Sequence, residues 1–285
     1  MTQGNDTEEQ VLKLELRLAQ LDRIDACHGN FIPFVRSMWP EFITGRHHKI
    51  IAEKLERVAK GELKRLIINM PPRHTKSEFA SYLFPAWMIG KHPTMKIIQA
   101  THTTELAVGF GRKVKNLLER DEYLEIFPDA KLAVDSKASG RWDTARGGMY
   151  YAVGVGSNLA GRGADLCIID DPHSEQTAMS TNGFDDAWDW YTGGPRQRLQ
   201  PGGAIIVVMT RWSEKDLTGQ LTRSMARDPL ADQWEIVEFP MELPSGDACW
   251  PEYWGQEDLT AVKASIPISK WNAQYQQNPT GDETS

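Results

Sequence analysis

The stretch MPPRHTKSE, residues 70–78, holds a Lys76-Ser77 pair directly after the apolar run RLIIN. That order of strand, loop, Lys-Ser and helix is the setting of a phosphate-binding loop. The common form is G-x-x-x-x-G-K-[ST], and here Met70 and Thr75 stand at the two glycine positions. In such a loop the Lys76 ammonium reaches the β- and γ-phosphates and the Ser77 hydroxyl binds Mg²⁺. The helix starting near Ser77 points free N–H groups at the anion. Pro72, Arg73, His74, Thr75 and Glu78 complete the nucleotide-binding candidates, with Arg73 as a second cation on the same phosphates. A Lys-Ser pair after a strand also arises by chance, so the loop needs company.

Two further apolar runs end in polar residues. In LCIIDDP, 166–172, a buried strand would deliver Asp170 to the same sheet edge, to hold Mg²⁺ through water. Asp171 beside it would polarise an attacking water. In IIVVMTRW, 205–212, Thr210 and Arg211 would lie next to the γ-phosphate and register its loss. An acidic turn or a Thr-Arg strand end is common alone; the loop and the carboxylates together define a nucleotide site.

These residues meet only if a sheet carries them. The strand candidates are 65–70, 95–101, 149–154, 165–170, 203–210 and 234–240, nearly unbroken apolar runs of the kind buried on both faces. Residues 77–90 and 104–119 read as helices between them. The pattern implies an α/β fold with a mostly parallel sheet and helices on both sides. Residues 1–30 form an amphipathic helical arm, 31–64 a helical prelude on the adenine side, 65–240 the nucleotide-binding core, and 241–285 a lid segment and the start of a linker.

Composition narrows the partners. The chain has 285 residues, 40% hydrophobic and 25% charged, with net charge -7, so no global basic field advertises nucleic acid. A local or assembled basic surface is still allowed: Arg196 and Arg198 lie between Gly and Pro breaks, and Arg112, Lys113 and Lys115 sit at the start of a helix in GRKVKNLLER. Both read first as solvated charge and second as DNA contacts. The three cysteines are widely spaced and predict reduced thiols rather than zinc or redox pairs. No run of eighteen apolar residues predicts a membrane span. His47 and His48 lack further metal ligands nearby and suit packing or an adenine-side pocket; His74 and His173 lie closer to the chemistry.

Arg162, in LAGRGAD, precedes the strand ending at Asp170. At roughly 3.3 Å per residue it stands about 25 Å from its own Asp170 if the segment is extended. Gly161 and Gly163 suggest a mobile, exposed loop. Arg162 there would serve a neighbouring subunit as an arginine finger, or else cap the sheet edge or contact DNA.

RLIINMPPRHTKSE, GRGADLCIIDDP, VVMTRWSEKDL and AQYQQNP together resemble the ATPase domain of tailed-phage terminase large subunits, over about residues 31–280. In that family the loop is commonly P-P-R-H-G-K-[ST], so few glycines are a family trait, while Thr75 is a departure. The resemblance implies a three-layer αβα P-loop NTPase with an additional-strand catalytic carboxylate. It implies ATP and Mg²⁺ as ligands and packaging of double-stranded DNA into a procapsid. The implied partners are the portal protein, the terminase small subunit and further copies in a ring, a pentamer by the family pattern, in the host cytoplasm and transiently at the portal. The family's Asp-Glu pair becomes Asp170-Asp171; Asp171 is one methylene shorter, and Glu175 is the reserve catalytic candidate. Full-length members continue into a nuclease domain where this sequence stops, so no nuclease activity is expected of these residues. A P-loop helicase-like translocase, a P-loop kinase and a nucleotide-binding module with little hydrolysis are the alternatives.

Overall fold

A computed structural model describes residues 3–159 and 161–280; the ends of the expected arm and linker, and Ala160 of LAGRGAD, lie outside the described residues. Seven strands form one sheet: β1 (Arg65–Asn69), β2 (Lys96–Thr101), β3 (Arg141–Asp143), β4 (Met149–Gly154), β5 (Ala164–Asp170), β6 (Leu199–Met209) and β7 (Glu235–Glu238). Their order is β3-β4-β2-β5-β6-β1-β7, and only β3 is antiparallel to its neighbour.

Alternate residues of the central strands enter different cores, as the period of two requires. Leu66, Ile68, Leu166, Ile168, Ile206 and Val208 face one layer, and Ile67, Cys167, Ile169, Ile205 and Val207 the other. Both faces are buried, which is why these strands read as unbroken apolar runs. The first layer holds α1 (Gln3–Gly29), α2 (Phe31–Met38), α3 (Arg46–Ala59), α4 (Phe84–Lys91) and α5 (Thr104–Leu118). The second rests on the helices Gly183–Gly193 and Leu217–Arg227, which supply Tyr191, Leu217 and Leu221.

Register sets the site. Ile68 of β1 and Asp170 of β5 both pair with Val208 of β6. The loop leaving β1 and the carboxylates leaving β5 therefore emerge at one rim, one strand apart. This is the edge where parallel α/β sheets hold ligands.

Several local expectations need correction. Residues 78–83 form a π-helical turn ahead of α4, instead of one continuous α-helix over 77–90. β6 begins at Leu199, through a Pro-Gly-Gly sequence that reads as a break. That stretch bulges, since Ala164 pairs with Leu199 while Leu166 pairs with Ala204. Arg112, Lys113 and Lys115 lie in the second half of α5, not at a helix start. The three cysteines are free, and all three are buried. No helix among the described residues is long and apolar enough to cross a membrane.

The arm's carboxyl end is anchored in the core. Cys27 is buried, and the buried Trp87 indole donates to the Cys27 carbonyl at 2.8 Å. Phe31 packs against Trp87 beside it. Farther out, Leu14, Leu16 and Leu18 are exposed. Trp87→Ala should lower unfolding stability by about 3–5 kcal/mol through the cavity and the unpaired carbonyl, measured by urea denaturation. Amide exchange should speed up around Cys27 before it does at the sheet.

Candidate functional site

At the rim the Lys76 ammonium lies 2.9 Å from Asp171 Oδ2. Asp171 Oδ1 accepts the Thr210 amide N–H at 2.9 Å. The Thr210 hydroxyl donates to the Met70 carbonyl at 2.9 Å, tying the end of β6 to the first residue of the loop. Thus Lys76, Asp171 and Thr210, remote in sequence, form one bonded unit. Lys76 is 10% exposed and Asp171 27%. Burial opposes the Lys76 charge, but Asp171 and Asp170 more than offset it, and its pKa stands above the ordinary lysine value.

Asp170 lies behind this pair, buried. Its Oδ2 accepts the Ser81 hydroxyl at 2.5 Å, and Ser81 in turn accepts the Gln99 amide at 2.8 Å. Burial and the neighbouring Asp171 charge push the Asp170 carboxyl up to about 7, while Lys76, Ser81 and Ser77 pull the other way. Asp170 Oδ1 is buried with no protein partner. Ser81 and Gln99 are absent from the sequence-based site; Ser81 follows Ser77 by four residues, one helical turn, and that spacing was the available signal.

Mg²⁺ suits this donor set: an unpartnered, deeply buried carboxylate oxygen and the Ser77 hydroxyl beside it. Among the described residues no group of three or more His, Cys, Asp or Glu could hold a metal.

The loop bends through two non-glycine residues with positive φ, Arg73 at 61° and Thr75 at 67°. Asp171 at 42° and Gln277 at 56° complete the set of such residues among those described. Gln277 accepts the Arg211 amide N–H at 3.0 Å, one residue from Thr210. All four strained residues therefore gather at one rim. Each left-handed non-glycine residue costs on the order of 1–3 kcal/mol, held by its surroundings, and such strain concentrates at functional sites.

A cleft of about 420 Å³ opens beside the loop, lined by Trp39, Pro72, Arg73, Thr75–Glu78, Trp250 and Tyr253. One wall comes from the segment before β1 and another from the segment after β7. Arg73 and Glu78 are exposed at its mouth. His74 is buried, with Nδ1 2.9 Å from the Pro72 carbonyl and its ring stacked on Trp254. His47 and His48 are buried in the same aromatic layer.

Other candidates sit apart. Glu175 is exposed and paired with Lys270 at 2.9 Å. Arg211 is buried against Asp216 at 2.9 Å, so its guanidinium is turned to the protein interior. His173 accepts the Leu217 amide N–H at 2.9 Å, at the start of the helix Leu217–Arg227. Arg162 is half-buried at the opposite rim, two residues before β5, its guanidinium 4.1 Å from the centre of the Tyr151 ring; the expected free loop is a stacked one. Arg196 is bound by Asp232 at 2.6 Å, and Lys115 donates to the Lys137 carbonyl at 2.9 Å. Arg198 is half-buried, and Arg112 and Lys113 are exposed.

Neither a protein-family model nor a curated protein matches this chain. Among solved structures it is similar to the HK97 bacteriophage large terminase, at 14% identity and a TM-score of 0.53, over 87% of this chain and 54% of that one. It is also similar to a mutant large terminase ATPase domain of Thermus phage P74-26, at 14% identity and a TM-score of 0.56, over 87% of this chain and 98% of that one. The chain spans about half the length of the HK97 protein. It shares the fold of the large terminase ATPase domain.

The buried histidines give the site a pH signature. Burial is the main cause that lowers His47, His74 and His173 to about 4 and His48 to about 2, from 6.5. As pH falls from 6.5 the unfolded chain takes up these protons and the folded chain does not, so stability falls. Asp170 acts in the opposite sense: raised from 3.8 to about 7, it favours the folded state increasingly as pH falls through 7. Four imidazoles outweigh one carboxyl. The thermal midpoint should therefore drop between pH 6.5 and 5, and replacing His47 or His74 with Gln should flatten that slope in calorimetry.

Proposed function

We propose that the chain is an ATPase whose turnover drives double-stranded viral DNA into a procapsid, the motor part of a terminase large subunit. One observation carries the reading: the Lys76–Asp171 ion pair, with Asp170 and Ser77 behind it, at the carboxyl rim of a parallel sheet. The shared fold with large terminase ATPase domains supports the packaging context.

The chemistry follows from the contacts. Triphosphate entering the loop competes with Asp171 for the Lys76 ammonium and takes it as a charge partner. Asp171 Oδ2 is then released, while Oδ1 stays fixed by the Thr210 amide. The freed oxygen can accept a hydrogen bond from the attacking water. Mg²⁺ would be held by Ser77 and, through water, by Asp170, and would neutralise phosphate charge. Arg73, exposed at the cleft mouth, adds a second cation, and Trp39, Trp250 and Tyr253 offer rings to the base. Arg162 faces away from its own site and suits a neighbour's in a ring. Portal protein, small subunit and DNA are the partners this reading requires. Arg112 and Lys113 are the DNA contacts left open to solvent; Arg196 and Lys115 are engaged within the chain.

A second reading draws on the same pair. With both Asp171 oxygens engaged, the domain could bind nucleotide and assemble while hydrolysing little. DNA-stimulated phosphate release separates the two. The motor reading expects turnover in the wild type and none in Lys76→Ala; no turnover in either protein favours the binding module.

Asp171→Ala should cut phosphate release by about 10²-fold or more while nucleotide still binds. Turnover that survives would transfer the water-activating role to Glu175. For Arg162, mixing Arg162→Ala with Lys76→Ala should restore part of the activity each lacks alone; an inert mixture would refute action across subunits.

A further inference from the structure

Thr75 occupies a left-handed turn at φ 67°, at the residue just before Lys76, without the freedom of glycine. Something must hold it there. Its hydroxyl has two partners: it donates to the His74 carbonyl at 2.5 Å and lies 2.6 Å from His48 Nε2. His48 belongs to α3, in the segment before β1. Its Nδ1 accepts the Gly45 amide N–H at 2.8 Å. A neutral imidazole that accepts at Nδ1 carries its proton on Nε2, so Nε2–H donates to Thr75. Each hydrogen in the chain Gly45 amide, His48, Thr75, His74 carbonyl then has one acceptor.

The donor is rigidly placed. His48 is buried, with its ring 4.7 Å from Phe42 and 4.9 Å from both Phe79 and Trp250. Gly45 is constrained as well: a Cβ there would stand 2.6 Å from the Trp250 ring and 2.7 Å from His47. Only glycine lets the Gly45 amide approach in this way. Beyond Thr75, its carbonyl accepts the Phe79 amide at 3.0 Å and starts the π-helical turn. The contact thus bears on the entry to that turn and on the Lys76 ammonium one residue away.

We propose that His48 is a positioning residue of the phosphate loop: through its Nε2–H bond to the Thr75 hydroxyl it holds the left-handed turn that glycine would adopt unaided, and so presents Lys76 to the nucleotide. The consequence for nucleotide rests on the ATPase reading; the contact itself does not.

A double-mutant cycle tests both. Affinity for a fluorescent ADP analogue is measured for the wild type, His48→Ala, Thr75→Gly and the double variant, with circular dichroism to verify folding. In the wild-type background, His48→Ala should weaken binding about tenfold, 1.4 kcal/mol. In the Thr75→Gly background the same change should weaken it less than about twofold. His48→Gln, which keeps an N–H near the Nε2 position, should restore most of the loss. Equal losses in both backgrounds would overturn the proposal and leave His48 as packing. Should His48→Ala not fold, Thr75→Val, which drops the hydroxyl and keeps the shape, should show the tenfold loss; unchanged binding there would overturn it equally. If the wild type binds no nucleotide, the ATPase reading fails, and urea unfolding of the same four proteins still tests the contact. Non-additive midpoints support it and additive ones refute it.

Discussion

The structure depends on one electrostatic constraint. A lysine ammonium and two adjacent carboxylates must share a rim where Lys76 and Asp170 are largely withdrawn from water and Asp171 is partly so. In a low-dielectric setting an isolated carboxylate or ammonium is strongly disfavoured. Lys76 and Asp171 meet that demand by pairing, and Asp170 meets it in part through Ser81. The remaining oxygen, Asp170 Oδ1, is buried with no protein hydrogen-bond donor. In the proposed ATPase, an incoming triphosphate would take Lys76 as its partner and free Asp171.

That constraint explains where the fold tolerates strain. Arg73, Thr75, Asp171 and Gln277 all adopt left-handed backbone, and all border the same rim. None is glycine, so each is held by side-chain or backbone bonds from elsewhere in the chain: Thr75 by His48, Asp171 by Val208 and Thr210, Gln277 by Arg211. The segments before β1 and after β7 are thereby tied into the site. Trp254 donates to the Arg73 carbonyl and stacks on His74, so the carboxyl-terminal segment closes over the loop from outside.

Much of this was legible in the sequence, for a physical reason. Strands buried on both faces read as apolar runs, and the polar residue where each run ends is by construction at the rim. The rim positions of Asp170, Asp171 and Thr210 were read in that way, and that of Lys76 from its Lys-Ser pair after a strand. Less legible were partners brought in by packing. Gln99 and Gly45 carry no signal of their own, Ser81 offers only its four-residue spacing from Ser77, and His48 reads as one of two adjacent histidines until α3 is laid against the loop. Arg211 shows the opposite error: its place at a strand end suggested the phosphate, but Asp216, five residues on, holds it inward. β3 is three residues long, and the first half of β6 runs through Pro201 and Gly202, so local propensity argued against both.

The most direct measurement is a structure with a non-hydrolysable ATP analogue and Mg²⁺. The triphosphate should lie along residues 72–77, with the Lys76 amine on phosphate oxygen and its bond to Asp171 broken. Phosphates seated elsewhere, or a Lys76–Asp171 pair left intact beneath a bound nucleotide, would contradict it.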